Sequence, residues 1–259
     1  TPAAYADASA CSSIQAAVAA SSNGDTIRIK AGSYGAQTIT TSKTSTTYVI
    51  ADDGTSIGSF SPRGNYIEYQ NFTAANMDLE DVDAQHVTLR NVSVASQGHV
   101  TIDGPDHFAW IGGTLGSYVI DHGDWPGRVM IQGSPGATTD VLLDGLVVQP
   151  VTRTAAAVSA GDHTEVIRFN QGVNGATLRN MTFQPGSNIN SAVIFIGGAG
   201  AGTTETNLTF ENNFFGQATD AQPLIVRWKD ARGSVATTTS VRLEKAKIDR
   251  TIPQGIFEL

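Results

Sequence analysis

The stretch Ala176-Thr-Leu-Arg-Asn-Met-Thr-Phe183 has a pattern that six other segments of the chain repeat. The seven copies align without internal insertion, and successive copies start 20 to 35 residues apart, at Ile67, Val87, Phe108, Val141, Ala176, Leu208 and Val241. The first and third positions are apolar in every copy, which is the period of a β-strand that buries one face. The third position holds Tyr69, Leu89, Trp110, Leu143, Leu178, Phe210 and Leu243.

The fifth position of the repeat predicts a sharp turn after each strand. It holds Asn71, Asn91, Gly112, Gly145, Asn180, Asn212 and Lys245. Asn and Gly enter the left-handed region of backbone conformation at the lowest cost, so we predict an αL bend here. The eighth position is apolar again, which predicts a second short strand on the same core. Strand, bend and strand at this period are typical of a parallel β-helix.

A candidate third strand precedes each of the later repeats, at residues 99–103, 128–132, 166–170, 193–196 and 224–228. Alternation orients Val100, Val129 and Ile167 towards the core. The outer face of this third sheet is then polar, because it carries His99, Thr101, Asp103, Arg128, Met130, Gln132, Arg168 and Asn170.

The ends of the chain predict caps. Residues 11–20 are rich in Ala, with apolar residues at helical spacing, and a β-helix needs a cover for its open apolar end. We therefore predict an all-β fold, a single-stranded right-handed parallel β-helix with a short N-terminal capping helix. It forms one domain over residues 1–259, with residues 1–24 as the N-terminal cap and residues 249–259 as the C-terminal cap.

Composition narrows the classes of partner. The formal net charge is −8 with only 15% charged residues, which argues against nucleic acid because binding to phosphate relies on basic side chains. The longest apolar stretch, residues 191–197, is too short to span a bilayer, so no membrane is expected. No charged-then-apolar segment opens the chain, and we expect a processed N-terminus.

The segments "SIQAAVAA…NGDTIRIKAGSYG", "ATLRNMTF" and "LTFENNFF" are similar to those of secreted right-handed parallel β-helix proteins of the pectate-lyase-like superfamily, particularly actinobacterial members. This resemblance covers nearly the whole chain and implies an extracellular, carbohydrate-related protein. The superfamily includes lyases, hydrolases, epimerases and adhesins. Val119-Ile-Asp-His122 is similar to a pectate-lyase "WIDH" segment without its Trp, and the Arg-x-Pro-x-x-Arg motif of those lyases is absent.

Asp-His dipeptides give the sharpest chemical signal, and two of the three lie in turns that lead into successive third strands. Stacked coils are about 4.8 Å apart, so these turns are expected to converge. The residues predicted to act as general acids, bases or charge stabilisers are Asp121, His122, Asp162, His163, Glu165 and Arg168. A calcium ion is the candidate cofactor, with Asp121, Asp124 and Asp162 as its candidate ligands. The alternative is that these polar turn residues are solvated and accept backbone N–H bonds. His107, at the start of a core strand, is left out as a coil-edge residue.

The outer face of the third sheet is the predicted binding surface. Arg168 is placed to pair with a substrate carboxylate, or alternatively to form a salt bridge with a neighbouring acid. The predicted substrate-binding residues are Arg128, Gln132, Asn170, Asp103, His99 and Trp125. Trp125 would stack on a sugar ring, although it could equally cover an edge of the core.

Three functions fit these features. The first is an extracellular polysaccharide lyase that cleaves a uronic-acid-containing glycan by β-elimination, with His163 or His122 as the base. The second is a glycoside hydrolase on the same scaffold, in which Asp and Glu serve as acid and base. The third is a non-catalytic carbohydrate-binding or adhesion module. In each case the expected partner is a polysaccharide or oligosaccharide.

Overall fold

The computed structural model describes residues 10–80, 84–124, 127–133, 138–184, 186, 192–197 and 205–216, together with the backbone of four further strands after residue 223. The strand pairings of this part of the chain are parallel throughout. The predicted all-β parallel β-helix is therefore confirmed.

The first sheet contains the repeat strands. With all strands numbered in chain order, its members are β1 (Thr26–Ile29), β4 (Thr47–Ala51), β6 (Ile67–Gln70), β8 (Val87–Arg90), β11 (Ala109–Ile111), β15 (Thr139–Asp144), β19 (Asn174–Arg179), β22 (Thr206–Glu211) and β25 (Thr239–Glu244). The last seven of these are the strands that the repeat predicts.

The other strands of the coils form one sheet with two arms. The short arm follows the bends and contains β9 (Ser93–Val94), β12 (Thr114–Leu115), β16 (Val147–Val148), β20 (Thr182–Phe183), β23 (Phe214–Phe215) and β26 (Lys247–Ile248). The groove arm is the predicted third sheet and contains β10 (Val100–Asp103), β14 (Gly127–Gln132), β18 (Glu165–Asn170), β21 (Ala192–Ile196), β24 (Leu224–Trp228) and β27 (Phe257–Glu258).

The two arms meet in β7 (Thr73–Glu80), which pairs with β9 through its first half and with β10 through its second half. They are continuous because no turn interrupts this strand. On its other side lies β5 (Ser56–Pro62), which also pairs with β2 (Ser33–Tyr34) and β3 (Gln37–Ile39).

The core is built from stacks of equivalent residues. Register pairs the third repeat position from coil to coil, from Tyr69 through Leu178 to Phe210, and these side chains are fully buried. Burying one such side chain is worth about 1.5–3 kcal/mol, so the stack is a major source of stability. Two polar groups lie inside it: the indole of Trp110 donates to the carbonyl oxygen of Val92 at 2.9 Å, and the hydroxyl of Tyr69 is buried without a hydrogen-bond partner among the described residues.

The residues at the fifth repeat position have the left-handed conformation that the sequence predicts. Asn71, Asn91, Asn180 and Asn212 have φ between 51° and 64°, and Gly112 and Gly145 are also left-handed. A second left-handed column, which the sequence did not reveal, lies just before the first repeat position. It contains Tyr66, His86, His107, Asp140, Gly175 and Asn207, with φ between 50° and 82°.

Long turns between the short arm and the groove arm form a wall on one side of the β-helix. The wall consists of a two-stranded sheet, β13 (Tyr118–Ile120) with β17 (Val151–Arg153), and the helix α2 (Ala155–Ala160). The hydroxyl of Thr154 caps α2 by accepting from the backbone N–H of Ala157.

The predicted N-terminal helix is present as α1 (Ile14–Ala20), whose Ile14 and Val18 are buried in the core. Residues 1–9 lie outside the described part. So does the expected C-terminal cap over residues 249–259, apart from β27, which pairs with β24. Among the described residues, no helix has the length and apolar character needed to cross a bilayer.

Candidate functional site

A groove runs over the outer face of the groove arm where β7, β10 and β14 lie side by side, and the wall forms one of its sides. Its volume is about 370 Å³, which lies within the range of known ligand sites. Its lining residues are Glu80, His99, Val100, Thr101, Tyr118, Gly127, Met130 and Gln132.

Strand register decides which side chains are neighbours along the groove. Glu80 of β7 pairs with Asp103 of β10, and Asp103 pairs with Gln132 of β14. The amide of Gln132 donates to Oδ2 of Asp103 at 2.7 Å and so fixes the orientation of that carboxylate. The next residue in this row, Asn170, is only 5% exposed, so little of this predicted substrate-binding residue can reach a ligand.

Tyr118 is the wall residue that faces the groove. It begins β13, and its half-buried ring lies against the guanidinium of Arg128, with 5.3 Å from Cζ to the ring centroid. Burial, followed by the negative charge of Asp124, raises the pKa of the Tyr118 phenol. A tyrosine phenol is protonated at neutral pH, so Tyr118 presents a hydrogen-bond donor to the groove.

Arg128 does not face the groove as the sequence suggested. Its side chain is fully buried under Tyr118, and its Nη2 donates to the carbonyl oxygens of Ala95 and Gly116 at 2.9 and 3.2 Å. Burial lowers the pKa of Arg128 to about 10. In this position the guanidinium ties the start of the wall to the coil beneath it, and a substrate cannot reach it without moving Tyr118.

The first group of predicted catalytic residues holds the wall together. Nδ1 of His122 lies 2.9 Å from Oδ2 of Asp162, and Oδ1 of Asp121 accepts from the hydroxyl of Thr154 at 2.7 Å. The hydrogen bond to Asp162 raises the pKa of His122, and the bond to His122 lowers the pKa of Asp162. The hydrogen bond from Thr154 likewise lowers the pKa of Asp121. These contacts join the two turns that carry the residues.

The second group lies at the start of β18. Glu165 is 1% exposed, its Oε2 is 3.6 Å from Nη1 of Arg168, and its Oε1 is 3.8 Å from Nδ1 of the exposed His163. The guanidinium of Arg168 also lies over the ring of Phe195, at 5.2 Å from the centroid. The alternative that Arg168 pairs with a neighbouring acid is the arrangement that the structure has.

The predicted calcium ligands do not converge. Asp124 accepts from the backbone N–H of Asp121 at 2.7 Å, and Asp162 is bonded to His122. In the described part of the chain, the one group with three ligand atoms within 4.8 Å of one another is Asp106, His107 and Asp140. Trp125 lies outside the described residues.

Two groove residues lack the intramolecular side-chain contacts, within the described part of the chain, that hold the predicted catalytic residues. The side chains of Glu80 and His99 are exposed, and neither makes a hydrogen bond or ion pair with another described residue. Glu80 and Tyr118 were not singled out from the sequence. Glu80 ends the strand that joins the two arms, and outward alternation from the buried Met77 and Leu79 would have located it.

This chain shows limited similarity to known proteins. No family model and no curated protein matches this chain. Two solved structures that match are variants of the catalytic domain of a GH87 α-1,3-glucanase in complex with nigerose, at 11% and 12% identity and with a TM-score of 0.30. Each match covers 90% of this chain, which spans 63% of the length of those glucanase domains.

Proposed function

We propose that this protein is a polysaccharide-active enzyme that binds a glycan in the groove and hydrolyses a glycosidic bond there. The observation that carries the proposal is a pair of neighbouring carboxylates at the groove, where Glu80 is a lining residue and Asp103 lies in strand register between the lining residues Glu80 and Gln132. Glu80 is exposed without an intramolecular partner among the described residues, and Asp103 lies beside it in register. Two flanking carboxylates are the catalytic requirement of most glycoside hydrolases.

The roles follow from the environment of each carboxylate. Asp103 is held by the Gln132 amide, so we assign it as the nucleophile that attacks the anomeric carbon. Glu80 is free to move and donates its proton to the glycosidic oxygen, which leaves with the aglycone when the C–O bond breaks. Glu80 then takes a proton from water as that water displaces Asp103 from the sugar.

The spacing favours retention of configuration. The strand backbones that carry Glu80 and Asp103 are about 4.8 Å apart, so side chains that extend in parallel from them keep their carboxyl groups at a similar distance. Retaining enzymes separate their carboxyl groups by about 5–5.5 Å, whereas inverting enzymes need about 6.5–9.5 Å to admit a water. We therefore expect the first product to have the anomeric configuration of the substrate.

Charge favours a neutral glycan. No Arg or Lys side chain is among the described residues that line the groove. Arg128 lies beneath Tyr118 and Arg168 is engaged by Glu165. A uronate carboxylate would therefore face the ionised Asp103 without a neutralising cation, and like charges at this distance repel.

Elimination is the second candidate, and a specific pair of residues supports it. His99 lines the groove without a partner among the described residues, and Tyr118, a phenol with a raised pKa, is protonated at neutral pH. In that reaction His99 would remove the C5 proton of a uronic acid, and Tyr118 would protonate the leaving oxygen.

One screen separates the candidates. Purified protein is incubated with neutral and uronic polysaccharides, and both new reducing ends and the ultraviolet absorbance of unsaturated uronates are measured. Hydrolysis predicts reducing ends without that absorbance, and a loss of activity of about 100-fold or more in Glu80→Gln. The matched control Glu211→Gln, on the outer face of the first sheet, should keep full activity.

The contrary outcomes are distinct. Unsaturated product, abolished by His99→Ala and kept by Glu80→Gln, would replace hydrolysis by elimination. Glycan binding without any product would assign the groove to a binding module.

A further inference from the structure

A second group of chemically competent residues lies outside the groove, at the corner where the groove arm turns into the first sheet. Nδ1 of His107 is 2.9 Å from Oδ1 of Asp106, and Nε2 of His107 is 3.4 Å from Oδ2 of Asp140. His107 and Asp140 belong to successive coils, since β11 pairs with β15. The three side chains are half-exposed or exposed, so an ion can enter from solvent.

The contact with Asp106 determines what the other ring nitrogen offers. An imidazole that donates Nδ1–H to a carboxylate has its lone pair on Nε2. In this neutral tautomer the lone pair of Nε2 faces the carboxylate of Asp140. Two acceptors then face each other at 3.4 Å, which is longer than the 2.7–3.2 Å typical of an N–H···O hydrogen bond.

This separation is the one expected for two ligands of the same metal ion. Nitrogen and oxygen ligands lie about 2.0–2.2 Å from tetrahedral zinc. At a tetrahedral angle, two such ligands are about 3.4 Å apart. We propose that His107 Nε2 and Asp140 Oδ2 bind a divalent transition-metal ion of the zinc class, with Asp106 as the carboxylate that orients the imidazole.

The surroundings hold these groups in place. The ring of His107 stacks on that of His86, at 4.6 Å between centroids, and the hydroxyl of Thr139 donates to Asp106. The carboxylate of Asp140 fits because residue 175 is glycine, since a Cβ there would lie 2.8 Å from Oδ1 of Asp140. A carboxylate behind the imidazole is the usual support of a histidine that binds zinc.

The donor set selects the class of ion. Imidazole with carboxylate suits zinc, copper and nickel, whereas calcium takes six to eight oxygen ligands that this corner does not have. With two protein ligands and solvent in the remaining positions, the affinity should be moderate. Because the ion would connect successive coils, binding should stabilise the folded state.

The test uses zinc ions and the full chain, without an affinity tag, after dialysis against a chelator. Calorimetric titration should show one zinc site in the wild type and no site in His107→Ala. Asp106→Asn should weaken zinc binding by about 10- to 100-fold, the usual effect of losing a supporting carboxylate. His122→Ala is the matched control, since it removes another exposed histidine with a carboxylate partner, and it should bind zinc like the wild type.

Thermal unfolding gives a readout that does not depend on enzymatic activity. Zinc should raise the Tm of the wild type and of His122→Ala, and magnesium should leave both unchanged. The proposal is overturned if zinc has no effect on the wild type, or if it acts equally on His107→Ala. In either case His107 would be an imidazolium that donates to both carboxylates.

Discussion

Replacing Asn180 by Val tests the left-handed bend that follows the first strand of each coil. Asn180 has φ of 55°, where a β-branched side chain is strained by about 1–3 kcal/mol. Its amide donates to Oδ1 of Asp144 and its oxygen accepts from Asn212, both at 2.8 Å. These bonds are exposed, so each contributes about 0.5 kcal/mol, the low end of the usual range. We expect Asn180→Val to lose about 2–4 kcal/mol of unfolding free energy.

Asn180→Gly separates the two contributions. Glycine adopts the left-handed conformation without strain but loses the same hydrogen bonds, so this variant should lose only about 1 kcal/mol. Equilibrium urea unfolding measures both, and the comparison holds where the two variants have the same m-value. Equal stability of the Val and Gly variants would show that the bend at this position does not require a left-handed residue.

Three further predictions concern the core, the coil contacts and the wall. Leu143→Ala should cost about 2–5 kcal/mol, because Leu143 is fully buried in the stack; a loss below about 1 kcal/mol in urea unfolding would show that the stack collapses around the change. Gly113→Ala should prevent native folding, because its Cβ would lie 2.0 Å from the carbonyl oxygen of Val92 at a φ of +110°; a normal circular dichroism spectrum and Tm would be inconsistent with this contact. The pKa of His122 is raised and that of Asp162 is lowered. Their pairing should therefore stabilise the folded state most between about pH 4 and 6.5. This contribution should disappear as the pH rises through the raised pKa of His122, or as it falls through the lowered pKa of Asp162. The stability difference between the wild type and His122→Asn should therefore shrink above neutral pH, and a difference that grows there would contradict the assignment.

Most of the fold could be predicted because its signal is local and repeated. The apolar third position of each repeat, as at Leu178, reports burial directly, and Asn or Gly at the fifth position reports the bend. The second left-handed column carries a weaker signal, because Asp140, Gly175 and Asn207 favour this conformation but the first member, Tyr66, is a bulky residue that seldom adopts it. Stacking of the aromatic rings in this column, at 4.5 and 4.6 Å between centroids, is a tertiary interaction that accompanies it.

The site was harder to predict than the fold. Alternation placed Thr101, Met130 and Arg168 on one face of the groove arm, and the register pairs them side by side. Which polar residues remain available for a ligand depends on partners that are distant in sequence. His122 is bonded to Asp162 across 40 residues, while Glu80 has no such partner among the described residues. Polar density in the sequence therefore placed the predicted catalytic residues outside the groove, whereas His99 and Gln132, two of the predicted substrate-binding residues, do line it.

A crystal structure of Glu80→Gln, grown with an oligosaccharide from a polysaccharide that the wild type degrades, tests the central claim most directly. The variant keeps the shape of the groove and should bind substrate without turning it over. We expect a sugar ring beside Tyr118, with its anomeric carbon next to the carboxylate of Asp103. An oligosaccharide bound at the wall cluster of His122 and Asp162, or on the first sheet, would contradict the account.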